Sequence, residues 1–179
     1  MPEERDPQRL WAPWRAAYVK GMTDAAEGGA CFLCRARDGR DDAAGLVLAR
    51  GPEAFVVMNR YPYNPGHLMI ASNAHVGGLE EISPAVSAAM WRWLVVAKAV
   101  LREAMRPHGF NIGINQGRPA GAGLLDHLHI HIVPRWSGDT NFLPVLDGAR
   151  VISQALEDLY RDLRPRFQDA SRARPGEAP

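Results

Sequence analysis

The chain of 179 residues is 46% apolar and 8% aromatic, which suits one globular domain burying roughly two-thirds of its unfolded surface. A formal net charge of +1 argues against the broad basic field of a nucleic-acid binder, so an anionic ligand must be held by local groups. No uninterrupted apolar run reaches about 18 residues and none follows the polar residues 1–9, so neither a membrane partner nor a signal peptide is expected, and a cytoplasmic location is.

Residues 8–20 contain Leu10-Trp11-Ala12-Pro13-Trp14-Arg15 and then Tyr18-Val19. Such tryptophans anchor a segment onto a core or a neighbouring subunit, or stack on a base at the mouth of a site. Residues 24–29 read as a linker, so 1–30 is expected to be an N-terminal arm. The only two cysteines follow in Cys31-Phe32-Leu33-Cys34, with a loop predicted over residues 35–45. In a reducing compartment this pair points to half of a zinc site ahead of a thioredoxin-like redox pair, because no βαβ pattern stands beside it. A half-site needs two further ligands elsewhere in the chain.

Residues 46–50 and 54–59 read as two strands of a hairpin, with Gly51-Pro52-Glu53 as the turn. A proline-punctuated loop over 60–66 leads to a strand over 67–72, which ends in Asn73-Ala74-His75. Residues 83–105 predict the best helix: Ser83 can cap it and Pro84 suits the first helical position. Val86, Met90, Trp93, Leu94, Ala97, Val100, Leu101 and Met105 make one apolar stripe, and Arg106-Pro107-His108-Gly109 stops the helix.

Residues 110–116 alternate as a strand expected to lie beside a second, histidine-bearing one. Between them, residues 117–123 form a glycine-rich loop whose backbone N–H groups can approach a phosphate, with Gly121 and Gly123 as candidate contacts. A polar, aromatic-bearing loop over 134–142 precedes a second amphipathic helix over 150–167, carrying Val151, Ile152, Ala155, Leu156, Leu159 and Leu163 on one side. Residues 169–179 are expected to be a flexible tail, which leaves 31–168 as the folded domain.

The histidine-bearing strand is His127-Leu128-His129-Ile130-His131-Ile132-Val133-Pro134, with three of the chain's six histidines on alternate positions. A strand sends alternate side chains to one face, so all three imidazoles are expected on one side and Leu128, Ile130 and Ile132 in the core. A helix would scatter them. The plainer alternatives are a half-buried strand whose polar face happens to be histidine, and a simple metal site.

This run resembles the signature of the histidine triad (HIT) superfamily, His-φ-His-φ-His-φ-φ with φ apolar, at every position from His127 to Val133. The resemblance extends over Leu10-Trp11-Ala12-Pro13-Trp14-Arg15, Asn59, Tyr61-Pro62-Tyr63-Asn64-Pro65-Gly66-His67, Arg106-Pro107-His108-Gly109-Phe110-Asn111, and residues 131–141. These longer stretches look like the bacterial branch similar to diadenosine tetraphosphate phosphorylases.

The resemblance implies an α+β, HIT-like fold with an antiparallel sheet of about five strands and two main helices, assembled as a homodimer or tetramer. It implies a nucleotide across the histidine strand, and nucleotidyl transfer from a dinucleoside polyphosphate through a covalent nucleotidyl-histidine. In that scheme His129 is the nucleophile and His131 holds the phosphate and leaving group. Asn59 meets the ribose, while Asn115 and His67 stand near the phosphates. Zinc-bearing relatives imply a structural zinc held by Cys31, Cys34, His75 and His127, and no organic cofactor. The alternatives are a hydrolase acting on nucleoside phosphoramidates or other nucleotide conjugates, a non-catalytic nucleotide-binding regulator, and a zinc-structural adaptor. One departure stands out: Gly123 and Leu124 occupy positions where many members carry Gln or Ser, then Ser or Thr, as side-chain phosphate ligands.

Overall fold

The computed structural model describes residues 31–139 and 156–172. The arm over 1–30 with Trp11 and Trp14, residues 140–155 and residues 173–179 lie outside the described residues. In order, the elements are α1 (Phe32–Asp38), β1 (Val47–Arg50), β2 (Ala54–Met58), β3 (Leu68–Ser72), α2 (Pro84–Met105), β4 (Gly109–Gly113), β5 (His129–Arg135) and α3 (Leu156–Arg172). The strands make one sheet in the order β1-β2-β3-β5-β4, antiparallel at every pairing. The expected α+β architecture therefore holds, with α1 as a short addition to the two main helices.

Burial explains the layering. β2 and β3 are buried at every position, whereas β4, at the sheet edge, exposes Asn111, Ile112 and Gly113. Ser83 Oγ accepts a hydrogen bond from Val86 N at 3.3 Å and so caps α2. By length and composition α2 could cross a membrane. Its stripe of Val86, Met90, Leu94, Ala97, Val100 and Leu101 is instead buried within the core cluster that contains the sheet. Trp93, assigned to the same stripe, is only half-buried and lies beside Gly51.

The turn before β3 fastens that layer to β5. Gly66 has φ +77°, and a Cβ there would lie 2.6 Å from Met105 Sδ and 3.1 Å from Pro134 Cγ. Only glycine fits both the dihedral and the space. The same contact puts α2 on the Ile130, Ile132 and Pro134 face of β5, opposite His129 and His131.

Four boundaries differ from expectation by more than one residue. Residues 32–38, predicted to lie partly in a loop, are helical because Leu33 and Ala36 bury one side of two turns. The edge strand, expected over 110–116, is Gly109–Gly113, because its ladder to β5 ends at the Gly113–His131 pair. β5 begins at His129, since His127 precedes the regular ladder. The last helix continues past Gln168 to Arg172, so the expected tail starts later. Leu159, Leu163 and Phe167 are buried there, and Tyr160 Oη donates to Val47 O at 3.2 Å, tying α3 to β1.

Candidate active site

β5 sits between β3 and β4, with Ala71 opposite His129, Met69 opposite His131, and Gly113 opposite His131 on the other side. Ladders on both flanks fix its register, and a slip of one residue would send every imidazole to the other face. Leu128, Ile130 and Ile132 are buried as expected. His129 and His131 stand together, ring centroids 4.8 Å apart and nearly edge-on at 78°. His127 does not complete a row of three; its ring belongs to a second cluster.

Fixed backbone groups set the tautomers. His129 Nδ1 lies 2.7 Å from His127 O, a pure acceptor, so Nδ1 carries the proton and Nε2 keeps a lone pair. His67 Nδ1 accepts from Tyr63 N at 3.1 Å, with Asn59 Nδ2 at 3.3 Å. Asn59 Oδ1 in turn accepts from Tyr61 N at 2.9 Å, which orients its amide toward the imidazole. His67 Nε2 must then be the protonated nitrogen, and it donates to His131 Nδ1 at 2.9 Å. This leaves His131 with its proton on Nε2.

Burial keeps these rings neutral. It pushes His67 down to about 3, with repulsion from His131 and His129 adding to the effect, and His131 down to about 4, with His129 adding. Burial also lowers His129, against the opposing bond to His127 O. The site thus presents a lone pair on His129 and a donor proton on His131 at neutral pH. Around it, Asn64 knits two loops together: its carbonyl accepts from His67 N at 3.1 Å, and its amide donates to Pro134 O at 3.1 Å and to Asp139 Oδ2 at 2.9 Å. Arg135 pairs with Asp139.

The second cluster contains Cys31, Cys34, His75 and His127, whose ligand atoms all lie within 4.8 Å of one another. Cys31 caps α1 and Cys34 sits in its first turn, which turns both thiols to one side. His127 Nδ1 is 3.3 Å from Cys31 Sγ, 3.5 Å from Cys34 Sγ and 3.4 Å from His75 Nδ1, and His75 Nδ1 is 3.3 Å from Cys34 Sγ. A tetrahedral ion bound at about 2.3 Å by sulfur and about 2.0–2.1 Å by nitrogen requires edges of roughly 3.3–3.8 Å, so the donor set fits a closed metal site. His127 Nε2 donates to Ser72 O at 2.7 Å, leaving Nδ1 unprotonated and aimed at the cysteines, as a ligand must be. The Cys34 thiol is held above its usual value by burial and then by Cys31, a balance that a cation would reverse.

In the glycine loop, Gly117 and Gly121 both have φ +82°. Ala120 N and Ala122 N donate to Gly117 O, and Gly121 N donates to Arg118 O. The Gly121 amide is thus engaged inside the loop, while Gly123 N has no backbone partner among the described residues. Asn115 is half-buried where the loop leaves β4. Sequence reasoning missed the Tyr63 amide, the Ser72 carbonyl and the Asn64–Asp139 latch. Backbone donors carry no side-chain signature, and Asp139 is 75 residues from Asn64.

A strand bearing two adjacent neutral imidazoles, an upstream histidine in a cysteine cluster and a five-stranded antiparallel sheet define a histidine triad protein. The chain belongs to the HIT domain family, whose match covers residues 41–138. Over 159 residues it is 42% identical to an AP-4-A phosphorylase of Mycobacterium tuberculosis, spanning 86% of this chain and 81% of that relative. Among solved structures, a zinc-bound histidine triad family protein from Mycobacterium smegmatis superimposes with a TM-score of 0.60 at 23% identity, over 80% of this chain and 97% of that one. A hypothetical histidine triad nucleotide-binding protein from Sulfolobus tokodaii gives 0.62 at 22%, over 79% and 95%. These two likenesses speak for the fold.

Proposed function

We propose that the protein is an enzyme that splits diadenosine tetraphosphate and related dinucleoside polyphosphates by two-step nucleotidyl transfer to inorganic phosphate. The observation that carries this reading is the pairing of a lone pair on His129 Nε2 with a proton on His131 Nε2 in one site. The 42% identity to an AP-4-A phosphorylase supports the substrate class and the acceptor.

His129 Nε2 attacks the α-phosphorus in line; an N–P bond forms and the P–O bond to the remaining polyphosphate breaks. His131 Nε2–H donates to the leaving oxygen, and the Gly123 amide contributes a donor toward the equatorial oxygens. Such preorganised donors are worth about 3 kcal/mol each in transition-state stabilisation. As the Nδ1–H of His129 stays on the His127 carbonyl, it disperses the charge that forms on the ring. Inorganic phosphate then attacks the same phosphorus, the N–P bond breaks and ADP leaves, with ATP as the first product. Asn59 retains one amide hydrogen and one lone pair for the ribose. Asn115 and His67 complete the phosphate side, the latter through His131.

The metal held by Cys31, Cys34, His75 and His127 is zinc, in a structural role; the two thiols, two imidazoles and tetrahedral spacing support this. His127 gives its ring to that cluster and its carbonyl to His129, so the metal site steadies the nucleophile from two residues away. The protein acts in the cytoplasm, where free thiols persist. It works as a homodimer: β4 is an edge strand bonded on one side only, and Trp91 and Val95 on α2 are 57% and 67% exposed.

Incubation with diadenosine tetraphosphate, with and without phosphate, tests the function. ADP and ATP formed only with phosphate support it. AMP without phosphate moves the acceptor to water, and binding without turnover replaces the enzyme by a regulator. His129→Ala must abolish both turnover and the acid-labile adduct; wild-type cleavage by that variant refutes the nucleophile.

A further inference from the structure

The proposed substrate carries a negative charge on every phosphate, yet the site is built from neutral groups. His129 and His67 are buried, His131 is half-buried, all three are uncharged, and Asn59 and Asn115 are amides. The side chains that would hold phosphate oxygens are absent at Gly123 and Leu124, and three amides of the loop are turned inward on Gly117 O and Arg118 O. A polyphosphate chain leaving the α-position therefore needs a cation from elsewhere.

The segments that border the histidine strand offer few. Arg37 is engaged by Asp38 and by Asn73 O, Arg60 donates to Ala44 O at 2.9 Å, and Arg135 is paired with Asp139. Arg118 differs. It is exposed, and among the described residues its guanidinium has no hydrogen bond or ion pair.

Its place in the fold is specific. The loop over 114–126 departs from Gly113, which is paired with His131, and returns at His127, so both ends flank the reacting histidines. Arg118 opens the single turn Arg118–Ala120 inside that loop, held between the left-handed glycines Gly117 and Gly121. The turn is closed by its own hydrogen bonds, and Gln116 Nε2 fastens its base to Gly77 O at 3.4 Å. The loop's one acid, Asp126, lies at the far end, next to His127.

We propose that Arg118 binds the phosphates beyond the scissile bond, so that it selects substrates by the length of their phosphate chain. This rests on the function proposed above. A guanidinium suits the role because it stays charged and can grip two phosphate oxygens at once. Arg118 touches the leaving polyphosphate and takes no part in bond making at the α-phosphorus.

The experiment compares full-length wild type, Arg118→Gln and Arg118→Lys on diadenosine tetraphosphate and on adenosine 5′-phosphoramidate, whose leaving group has no phosphate. Arg118→Gln is expected to lose about tenfold more kcat/KM on the tetraphosphate than on the phosphoramidate, the size of one charged hydrogen bond. The loss should fall mainly in KM, Arg118→Lys should recover most of it, and the salt dependence on the tetraphosphate should flatten. Equal losses on both substrates, or none on the tetraphosphate, overturn the assignment. Wild-type protein that cleaves the phosphoramidate but leaves the tetraphosphate intact overturns the proposed substrate class, and this inference with it.

Discussion

Replacing His67 tests the proton arrangement most directly, because it changes the site without touching the proposed nucleophile. His67 is 1% exposed and donates to His131 Nδ1 at 2.9 Å. In His67→Ala that nitrogen loses its partner inside the protein, at a cost of about 1–3 kcal/mol. If the cost appears in the transition state, nucleotidylation slows by roughly fivefold to a hundredfold. His131 is also freed to carry its proton on Nδ1, which would turn a lone pair toward the leaving oxygen. The cavity lowers stability as well, by about 2–4 kcal/mol, so rates must be measured well below the melting temperature. His67→Gln separates the effects: its amide can still donate to His131 while most of the volume is kept. Single-turnover quenched-flow kinetics give the adduct rate, and nitrogen-15 NMR of the imidazoles gives the tautomer. A wild-type adduct rate in His67→Ala, or His67→Gln no faster than His67→Ala, refutes the relay.

Acid should unfold the protein early. Both His67 and His131 have folded values, about 3 and about 4, below the unfolded 6.5, so the unfolded chain binds more protons between those limits and stability falls as pH drops through that window. With both groups contributing, the loss is about 3 kcal/mol per pH unit between about 6 and 4, measurable by urea melts; a flat profile there refutes their neutrality. Cys34→Ser should lower the bound metal per chain in elemental analysis and the melting temperature together, while undiminished metal content would remove Cys34 from the ligand set. Gly66→Ala combines a left-handed backbone with a 2.6 Å clash on Met105 and should cost about 1–3 kcal/mol in chemical denaturation.

The elements that were legible in the sequence are those with a long or strict period. The alternation from His127 to Pro134 and the stripe from Val86 to Met105 each repeat often enough to define a face; α2 is where expected, and β5 carries the alternation from His129 onward. α1 was not legible because two buried positions, Leu33 and Ala36, make no recognisable period. The metal set illustrates another limit. Cys31 and Cys34 announce a half-site by spacing, but His75 and His127 join them only through the pairing of β3 with β5, a contact between residues far apart in the chain. The start of β5 was misplaced for a chemical reason: alternation cannot reveal that one histidine of the three has its ring drawn to the cysteines and its carbonyl engaged by a neighbour.

That last point decides the chemistry. His129 and His131 are identical side chains two residues apart on one strand, and the difference between them lies in what each Nδ1 meets. For His129 it is a carbonyl oxygen, which can only accept. For His131 it is Nε2 of His67, protonated because the other nitrogen of that ring accepts from the Tyr63 amide, which can only donate. Two backbone groups of opposite kind thus propagate opposite tautomers into the site, leaving one imidazole with a free lone pair and the next with a proton to donate, as the proposed nucleophile and proton donor require. Because burial holds both rings neutral, neither role depends on which histidine happens to be charged at a given pH. A side chain put in place of Tyr63 leaves this arrangement standing, since the donor is its backbone N–H. Tyr63→Phe, which keeps the ring 4.6 Å from that of His67, should therefore preserve the imidazole tautomers in nitrogen-15 spectra. A change of His131 tautomer in that variant would mean the phenol hydroxyl, and not the amide, sets the direction of the relay.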